Sequence, residues 1–204
     1  MSQIGNMLRT NEKFLAYIQN LYDNQLRKED VTIRYFEKGQ KLLSQHEPAT
    51  KVMLIHEGIT KCYFMEANDK EYIVEFLGKG EILGEIESIR NIPCLCSIEA
   101  LTDVSVFAIS VPYFQQLLSQ EITLNRLLID VFSERIVNTS SRASFQQLYT
   151  VEHSLGKLLK LISRQKIQLS KEDIAAYLGI SVRSLNRALK QINTTERPDQ
   201  LSSL

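Results

Sequence analysis

The stretch from Leu169 to Ile192 constrains the fold most strongly, because it specifies two short helices joined by a tight turn. Ser170 followed by Asp173 is a capping-box pattern, which starts the first helix. Gly179 can adopt the left-handed conformation that ends that helix, and Ser181 offers a second N-cap. The apolar positions of the second helix then recur at helical spacing: Leu185, Ala188, Leu189 and Ile192. The pattern predicts a helix-turn-helix.

The remaining positions of the second helix form a basic and polar face, which we expect to point outward. A helix-turn-helix inserts its second helix into the major groove of DNA, where one arginine can bond both O6 and N7 of guanine. Arg183 and Arg187 are four residues apart and therefore share a helical face. The predicted DNA-binding residues are Ser170, Ser181, Val182, Arg183, Ser184, Arg187 and Lys190. The alternative is an ordinary helical hairpin with a solvated basic face.

The charge distribution agrees with this assignment. The chain has 204 residues, with 24 basic and 24 acidic side chains. Residues 151–204 hold nine Lys and Arg against five acids, which leaves +4 there and −4 in the first 150 residues. A polyanion is therefore expected to bind the C-terminal part.

Cysteine content and the first residues indicate the compartment. Three cysteines do not make a disulfide framework and fit a reducing environment. No apolar run is as long as a membrane span, and Met1–Thr10 lacks a basic start and an apolar signal core. The protein is expected to be cytoplasmic.

Residues 31–110 have the periodicity of strands. Val31, Ile33 and Tyr35 alternate with polar residues as in a half-buried strand. Further strand-like runs are Val52–His56, Thr60–Met65, Glu71–Leu77, Ser97–Ala100 and Val104–Ser110, separated by turn residues such as Asn68-Asp69. Many short strands at this spacing predict an antiparallel, jelly-roll-like β-roll. An amphipathic helix over Glu12–Arg27, with Leu26 on its apolar side, precedes the roll.

One long helix is predicted for Ile122–Leu148. Its first half is apolar on more than one face, so that one face can pack on the roll. Leu124, Leu128 and Val131 have near-heptad spacing, which predicts a seam with a second copy of the chain. The alternative is a helix packed only within its own chain. A further helix over Ser154–Arg164 leads into the helix-turn-helix.

With this order of elements, the chain resembles the Crp/Fnr family of bacterial transcription regulators over nearly its whole length. The most specific matches, besides the helix-turn-helix, are Gly80-Glu81-Ile82-Leu83-Gly84-Glu85, which looks like the family's phosphate-cassette opening, and Ser97-Ile98-Glu99-Ala100-Leu101-Thr102. The resemblance implies a homodimer clasped through its long helices, with an effector pocket in each roll. It also implies a palindromic DNA operator and RNA polymerase as partners, and no membrane.

The expected fold class is α+β, in three parts. Residues 1–118 are assigned to an effector-sensing, cyclic-nucleotide-binding-like antiparallel β-roll with flanking helices, 119–149 to a long dimerisation helix, and 150–204 to the helix-turn-helix domain. Family members follow the recognition helix with a β-hairpin wing, whereas residues 193–204 are polar and do not alternate like a strand. The domain is therefore expected to lack a recognisable wing and the phosphate contacts that a wing makes.

The resemblance also implies the residues of an effector pocket: Gly84, Glu85, Cys94, Leu95, Cys96, Thr139 and Ser140. Glu85 matches the ribose-binding glutamate of cyclic-AMP-binding members, and Thr139-Ser140 fall near the long-helix positions that contact adenine. Those members hold the cyclic phosphate with an Arg-Ser pair, where this chain has Cys94-Leu95. The phosphate would lose a bidentate cation and a hydroxyl donor, so cyclic AMP is not the expected effector.

The cysteines admit two interpretations. Cys94 and Cys96 are two residues apart and would face one side of a strand, where they could sense redox state or join a metal site. The alternative is that both are small buried apolar residues. Three cysteines cannot supply a four-thiolate iron–sulfur cluster within one chain, and His46, His56 and His153 have no metal-ligand spacing.

Two other classes of function compete with a DNA-binding regulator. One is a sensor or interaction protein that keeps the roll and the dimer helix but has lost DNA regulation with the wing. The other is a cupin-type enzyme, which needs clustered metal ligands that His46, His56 and Glu57 do not supply. We therefore predict a protein that is not an enzyme.

Overall fold

The computed structural model describes residues 7–67 and 70–195, in an α+β fold. The strands of this part are β1 (Leu8–Arg9), β2 (Val31–Phe36), β3 (Lys41–Leu43), β4 (Lys51–Glu57), β5 (Thr60–Met65), β6 (Glu71–Leu77), β7 (Ile82–Leu83), β8 (Ser97–Ala100) and β9 (Val104–Ser110). The helices are α1 (Glu12–Asn24), α2 (Glu85–Arg90), α3 (Val111–Gln120), α4 (Ile122–Leu148), α5 (Val151–Gln165), α6 (Lys171–Leu178) and α7 (Val182–Thr195). Residues 8–135 form one compact unit, and the described residues from 136 onward belong to a second.

The first unit is a roll of two β-sheets. One sheet has the strand order β1-β6-β5-β8-β3, and the other has the order β2-β9-β4-β7. All of these strand pairs are antiparallel except β1 with β6, which is parallel. The predicted antiparallel roll is therefore confirmed, with a two-residue parallel strand added at one edge.

Strands β4 and β9 of the four-stranded sheet are buried on both faces. Along β4, Val52 and Leu54 join a core cluster with α1, α3 and α4, whereas Met53 and Ile55 join a cluster that includes residues of the five-stranded sheet. Successive residues 106–109 of β9 alternate in the same way between the two clusters. Burial on both faces explains why these strands are continuous apolar runs rather than alternating ones.

The first half of α4 is part of the core of its own unit. Leu124, Leu128 and Val131 are 0%, 3% and 0% exposed and pack in the cluster that contains Phe14 and Phe114. The prediction that these three residues form a seam with a second chain is therefore wrong, and the alternative of packing within the chain holds for them. The helix exposes other apolar residues, Ile122 and Ile129, at 66% and 64%.

Most predicted elements of the roll appear with the bounds expected from their periodicity. Strands β5, β6, β8 and β9 and helix α4 match their predicted ranges. Helix α1 ends at Asn24 rather than Arg27, so Leu26 lies outside it and is fully exposed instead of packed. Tyr35, expected to be half-buried, is 79% exposed near the end of β2. The predicted turn at Asn68-Asp69 lies outside the described residues.

The second unit consists of helices. Helix α5 begins three residues before its predicted start, because the hydroxyl of Thr150 caps it by accepting from the amide of His153. The sequence predicted no wing over residues 193–204. Residues 193–195 of this stretch belong to helix α7. The rest of that stretch, residues 196–204, lies outside the described part of the chain. Over residues 7–67 and 70–195, no helix is both long and apolar enough to cross a membrane.

Candidate nucleic-acid interface and effector site

The helix-turn-helix has the caps that its sequence predicts. Ser170 accepts a hydrogen bond from the amide of Asp173, and the Asp173 carboxylate accepts from the amide of Ser170, which completes the capping box. Gly179 has φ 69°, in the left-handed region, and the amide of Ile180 donates to the Ala175 carbonyl at 3.0 Å. The turn is therefore fixed by backbone geometry at one glycine.

A small core joins α5, α6 and α7. Leu155, Ala175, Leu185 and Ala188 are buried, and Leu189 and Ile192 pack against them. Burial of one face of α7 leaves the predicted base-reading side chains on the surface. Arg183, Arg187 and Lys190 are exposed, as expected from their spacing. Val182 differs from the prediction, because its side chain is half-buried and packs against this core.

The serines of the predicted interface already have hydrogen-bond partners. The Ser170 hydroxyl lies 2.6 Å from Oδ2 of Asp173, and the Ser181 hydroxyl accepts from the Ser184 amide at 3.1 Å. The hydroxyls of Ser181 and Ser184 are 3.0 Å apart. These serines therefore stabilise the helix ends, whereas Arg183 and Arg187 present charged donors to solvent.

The predicted effector residues Gly84 and Glu85 lie at the start of α2, in the roll. Gly84 has φ 80°, and a Cβ at this position would lie 3.0 Å from the carbonyl oxygen of Lys51, so the turn favours glycine. The Glu85 carboxylate is buried and bonds to Nη1 of Arg135, near the middle of α4. Nη2 of the same arginine donates to the Ile82 carbonyl at 2.8 Å. The carboxylate that matches the ribose-binding glutamate is thus occupied by a side chain of the protein itself.

A larger cluster of charged groups extends this pair. Arg9, on β1, contacts Glu75 at 3.0 Å and Glu81 at 3.2 Å. Arg135 lies 3.8 Å from Glu75 and 3.7 Å from Glu81. Two guanidinium groups therefore meet three carboxylates, with the side chains of Arg9, Glu81 and Glu85 3% exposed or less. Glu134, which is largely exposed, lies 3.9 Å from Arg9 at the margin of the cluster.

Burial changes the acidity of two of these carboxyl groups. Burial raises the pKa of Glu81 above its ordinary value, although Arg9 and Arg135 oppose the shift. Burial also raises the pKa of Glu85, against the opposing charge of Arg135. The cluster has more carboxylates than cations, so a proton on one carboxyl group would balance its charge.

The segment that replaces the Arg-Ser pair offers no cation. Cys94 is buried, and burial raises the pKa of its thiol to about 11. Leu95 is 47% exposed, and its backbone amide donates to Oε1 of Glu87 at 3.2 Å. A carboxylate next to this segment would repel a phosphate, which agrees with the expectation that cyclic AMP does not bind there.

Cys96 lies beside Cys62, a cysteine that the sequence pattern did not select, and both thiols are free. A hydrogen bond to Cys96, together with burial, raises the pKa of the Cys62 thiol well above its ordinary value. Thiols with raised pKa values are poor nucleophiles at neutral pH, which favours the interpretation of a buried apolar residue for Cys94, whereas Cys96 is only half-buried. In the part of the chain that the structure covers, no three potential ligands group as a metal site requires.

Thr139 and Ser140, the remaining predicted effector residues, are exposed positions of α4 within the second unit. Arg9, Glu75, Glu81 and Arg135 are residues of the charged cluster that sequence reasoning did not select. Glu81 belongs to the motif that carries the family resemblance, but spacing along the chain gives no sign that Arg9 and Arg135 meet it. Both arginines contact Glu81, although they are 126 positions apart in the chain.

The family model of the cyclic nucleotide-binding domain matches residues 33–121. The chain is 30% identical over 88 residues to a cAMP-dependent protein kinase regulatory subunit of Candida albicans, covering 43% of this chain and 18% of that protein's length. It is 24% identical over 165 residues to a probable transcriptional regulator, flp, of Lacticaseibacillus casei, covering 78% of this chain and 75% of that protein. The residues that this family model matches all lie in the first unit.

Solved structures match over most of the chain. The regulator CLP of Xanthomonas campestris, described as c-di-GMP-responsive, has a TM-score of 0.74 at 20% identity and covers 82% of this chain and 89% of its own. A putative Crp/Fnr regulator of Eubacterium rectale has a TM-score of 0.73 at 16% identity, with coverage of 86% and 87%. The chain thus has the fold of the Crp/Fnr transcription regulators, and the predicted resemblance to this family is confirmed.

Proposed function

We propose that this protein is a DNA-binding transcription regulator of the Crp/Fnr type. In this proposal a homodimer binds a palindromic operator, the roll responds to an effector other than cyclic AMP, and RNA polymerase is the downstream partner. The observation that carries the proposal is the surface of α7, where Arg183 and Arg187 are exposed on a helix held by Gly179 and two serine caps. That surface has the chemistry to read guanine in the major groove.

The exposed apolar face of α4 supports a homodimer. Ile122 and Ile129 are exposed and seven residues apart, and Ile136, 67% exposed, continues the spacing into the second unit. Residues seven apart return to one seam when two helices pair as a coiled coil. We therefore propose that this face, rather than the buried face of Leu124 and Leu128, contacts the second chain.

The charged cluster supports an effector other than cyclic AMP. The Glu85 carboxylate is already bonded to Arg135, and the position of the phosphate-binding pair holds Cys94 and Leu95. A cyclic nucleotide would need to displace a buried ion pair and would gain no cation from the cassette in return. The roll thus retains the shape of the family's domain without its phosphate chemistry.

The test of DNA reading is selection of bound sequences from a random pool, followed by titration of variants on the selected site. Arg187→Ala should cost about 1–3 kcal/mol and relax preference at one base pair. Lys190→Ala, near the far end of the helix, should weaken binding about equally on all sequences and reduce the salt slope by roughly one unit. Arg90→Ala, an exposed arginine of α2 in the roll, removes the same charge and should leave selectivity unchanged.

The outcomes separate the proposal from its alternative. If the wild-type chain enriches no sequence from the pool, the protein is better described as a sensor or interaction protein that has lost DNA regulation. If a site is selected but Arg187→Ala binds it as tightly and as selectively as the wild-type protein, α7 does not read bases as proposed.

A further inference from the structure

An apolar cavity lies within the unit that carries the helix-turn-helix, between α4, α5 and α6. Its lining includes Phe145 of α4, Leu158 and Leu161 of α5, and Leu178 of α6, with Arg142 and Lys157 as its charged members. All of these residues belong to the second unit. The cavity is therefore separate from the predicted effector residues Gly84 and Glu85, and none of the DNA-binding predictions includes its lining.

The walls of the cavity are held in place by specific contacts. The guanidinium of Arg142 lies 3.9 Å from the ring centre of Tyr177 and donates to the carbonyl of the same residue. Leu158 is 4% exposed. Tyr177 and Leu178 end α6 and directly precede Gly179, the turn of the helix-turn-helix. A molecule in the cavity would thus contact the helix whose end sets that turn.

The charged lining residues described in the structure are both positive. The Lys157 ammonium lies 4.3 Å from the ring centre of Phe145 and 5.2 Å from that of Tyr149. Within residues 7–67 and 70–195, it forms no ion pair with a carboxylate. An ammonium beside an apolar cavity, contacted by rings and by no acid, is complementary to a ligand with one anionic group.

The size of the cavity limits the apolar part of such a ligand. The cavity volume is about 50 Å³, and the cavity opens to solvent. One buried water needs about 10–15 Å³ by the same kind of measure, so the cavity accommodates roughly four heavy atoms. A short aliphatic chain fits this space with its polar end at the opening, whereas a nucleotide does not.

We infer that this cavity binds a short-chain aliphatic carboxylate, with the hydrocarbon among Leu158, Leu161 and Leu178 and the carboxylate at Lys157. The inference goes beyond the proposed function, because it adds a ligand site in the DNA-binding unit itself. A ligand held between α5 and α6 stabilises one spacing of these helices. The affinity of the helix-turn-helix for DNA then depends on that ligand as well as on any effector of the roll.

The test uses the full chain, with leucine methyl groups labelled for NMR, and titration with pentanoate. Pentanoate should shift the methyl signals of Leu158, Leu161 and Leu178 in a saturable manner and leave those of Leu54, in the roll core, unchanged. Pentanol, which has the same chain without the charge, should bind about ten-fold more weakly, because a charge-assisted hydrogen bond is lost. Acetate, which lacks the apolar chain, should also bind much more weakly.

Three variants locate the site. Lys157→Gln should reduce pentanoate affinity about ten-fold, whereas Lys160→Gln, an exposed lysine of the same helix outside the lining, should not change it. Leu161→Trp, which fills the space, should abolish the shifts at Leu158 and Leu178. Equal binding of pentanoate and pentanol, equal loss in both lysine variants, or no saturable shift at these methyl groups would overturn the inference.

Discussion

Adjacent residues of α4 provide a direct test of how this helix packs. Leu128 is 3% exposed in the core cluster with Phe14 and Phe114, whereas Ile129 is 64% exposed. Leu128→Ala removes buried methyl groups and leaves a cavity, which should lower the free energy of unfolding by about 2–5 kcal/mol. Ile129→Ala changes an exposed side chain, so the folding of each chain should change by no more than about 0.5 kcal/mol.

Association of the two chains should be weakened by Ile129→Ala and not by Leu128→Ala. If Ile129 lies in the proposed seam, truncation should cost about 1 kcal/mol in each chain, or about 2 kcal/mol in the dimer, which raises the dissociation constant roughly thirty-fold. Urea unfolding at a fixed protein concentration and analytical ultracentrifugation over a concentration series measure the two effects. Two results together would refute this description of the helix. Leu128→Ala would have wild-type stability but dissociate more readily, and Ile129→Ala would have an unchanged mass in solution.

Three further predictions concern the charged cluster and the helix caps. Burial raises the pKa of Glu81 above 4.5. The stability gained because the folded protein binds this proton more tightly is therefore fully present below about pH 4.5, and it is lost as the pH rises through the raised pKa. Glu81→Gln is neutral at every pH, so urea titrations should show its stability rising relative to wild type from about pH 4.5 to 7, and a constant or falling difference would contradict the reasoning. Ser170→Ala removes the cap of α6 and should destabilise the second unit by about 1 kcal/mol in thermal unfolding, unlike Ser119→Ala on the exposed side of α3. Calorimetry should detect no micromolar binding of cyclic AMP to the wild-type protein, since Glu85 is bonded to Arg135; a micromolar dissociation constant would show that the pair opens readily.

Local patterns predicted most of the elements because local physics sets them. Capping of α6 involves Ser170 and Asp173, three residues apart, and the strand over Thr60–Met65 lies between turn residues. The helix-turn-helix and the roll could therefore be predicted from sequence periodicity and turn chemistry. The elements that were missed, such as β7 and α2, are two and six residues long, too short for a period to be visible.

The face of a helix that meets the core could not be predicted where two faces are apolar. Helix α4 carries Leu124 and Leu128 on one face and Ile122 and Ile129 on another, and hydrophobic spacing alone does not say which one the roll covers. The same limit applied to Val182, where an apolar side chain at the start of α7 turned inward to the small core. The charged cluster was beyond prediction for a different reason, since its partners meet only through tertiary packing.

The bond between Glu85 and Arg135 has a consequence for how sequences of this kind change during evolution. Loss of the Glu85 carboxylate removes a charge-assisted hydrogen bond of Arg135, which contributes about 1.5–3 kcal/mol, although Glu75 and Glu81 still face the guanidinium. A single substitution at Glu85 is therefore selected against even in a lineage that has no use for cyclic nucleotides. A glutamate at this position records its pairing with the arginine of the long helix, and its presence in a relative is not by itself a sign that the relative binds a ribose.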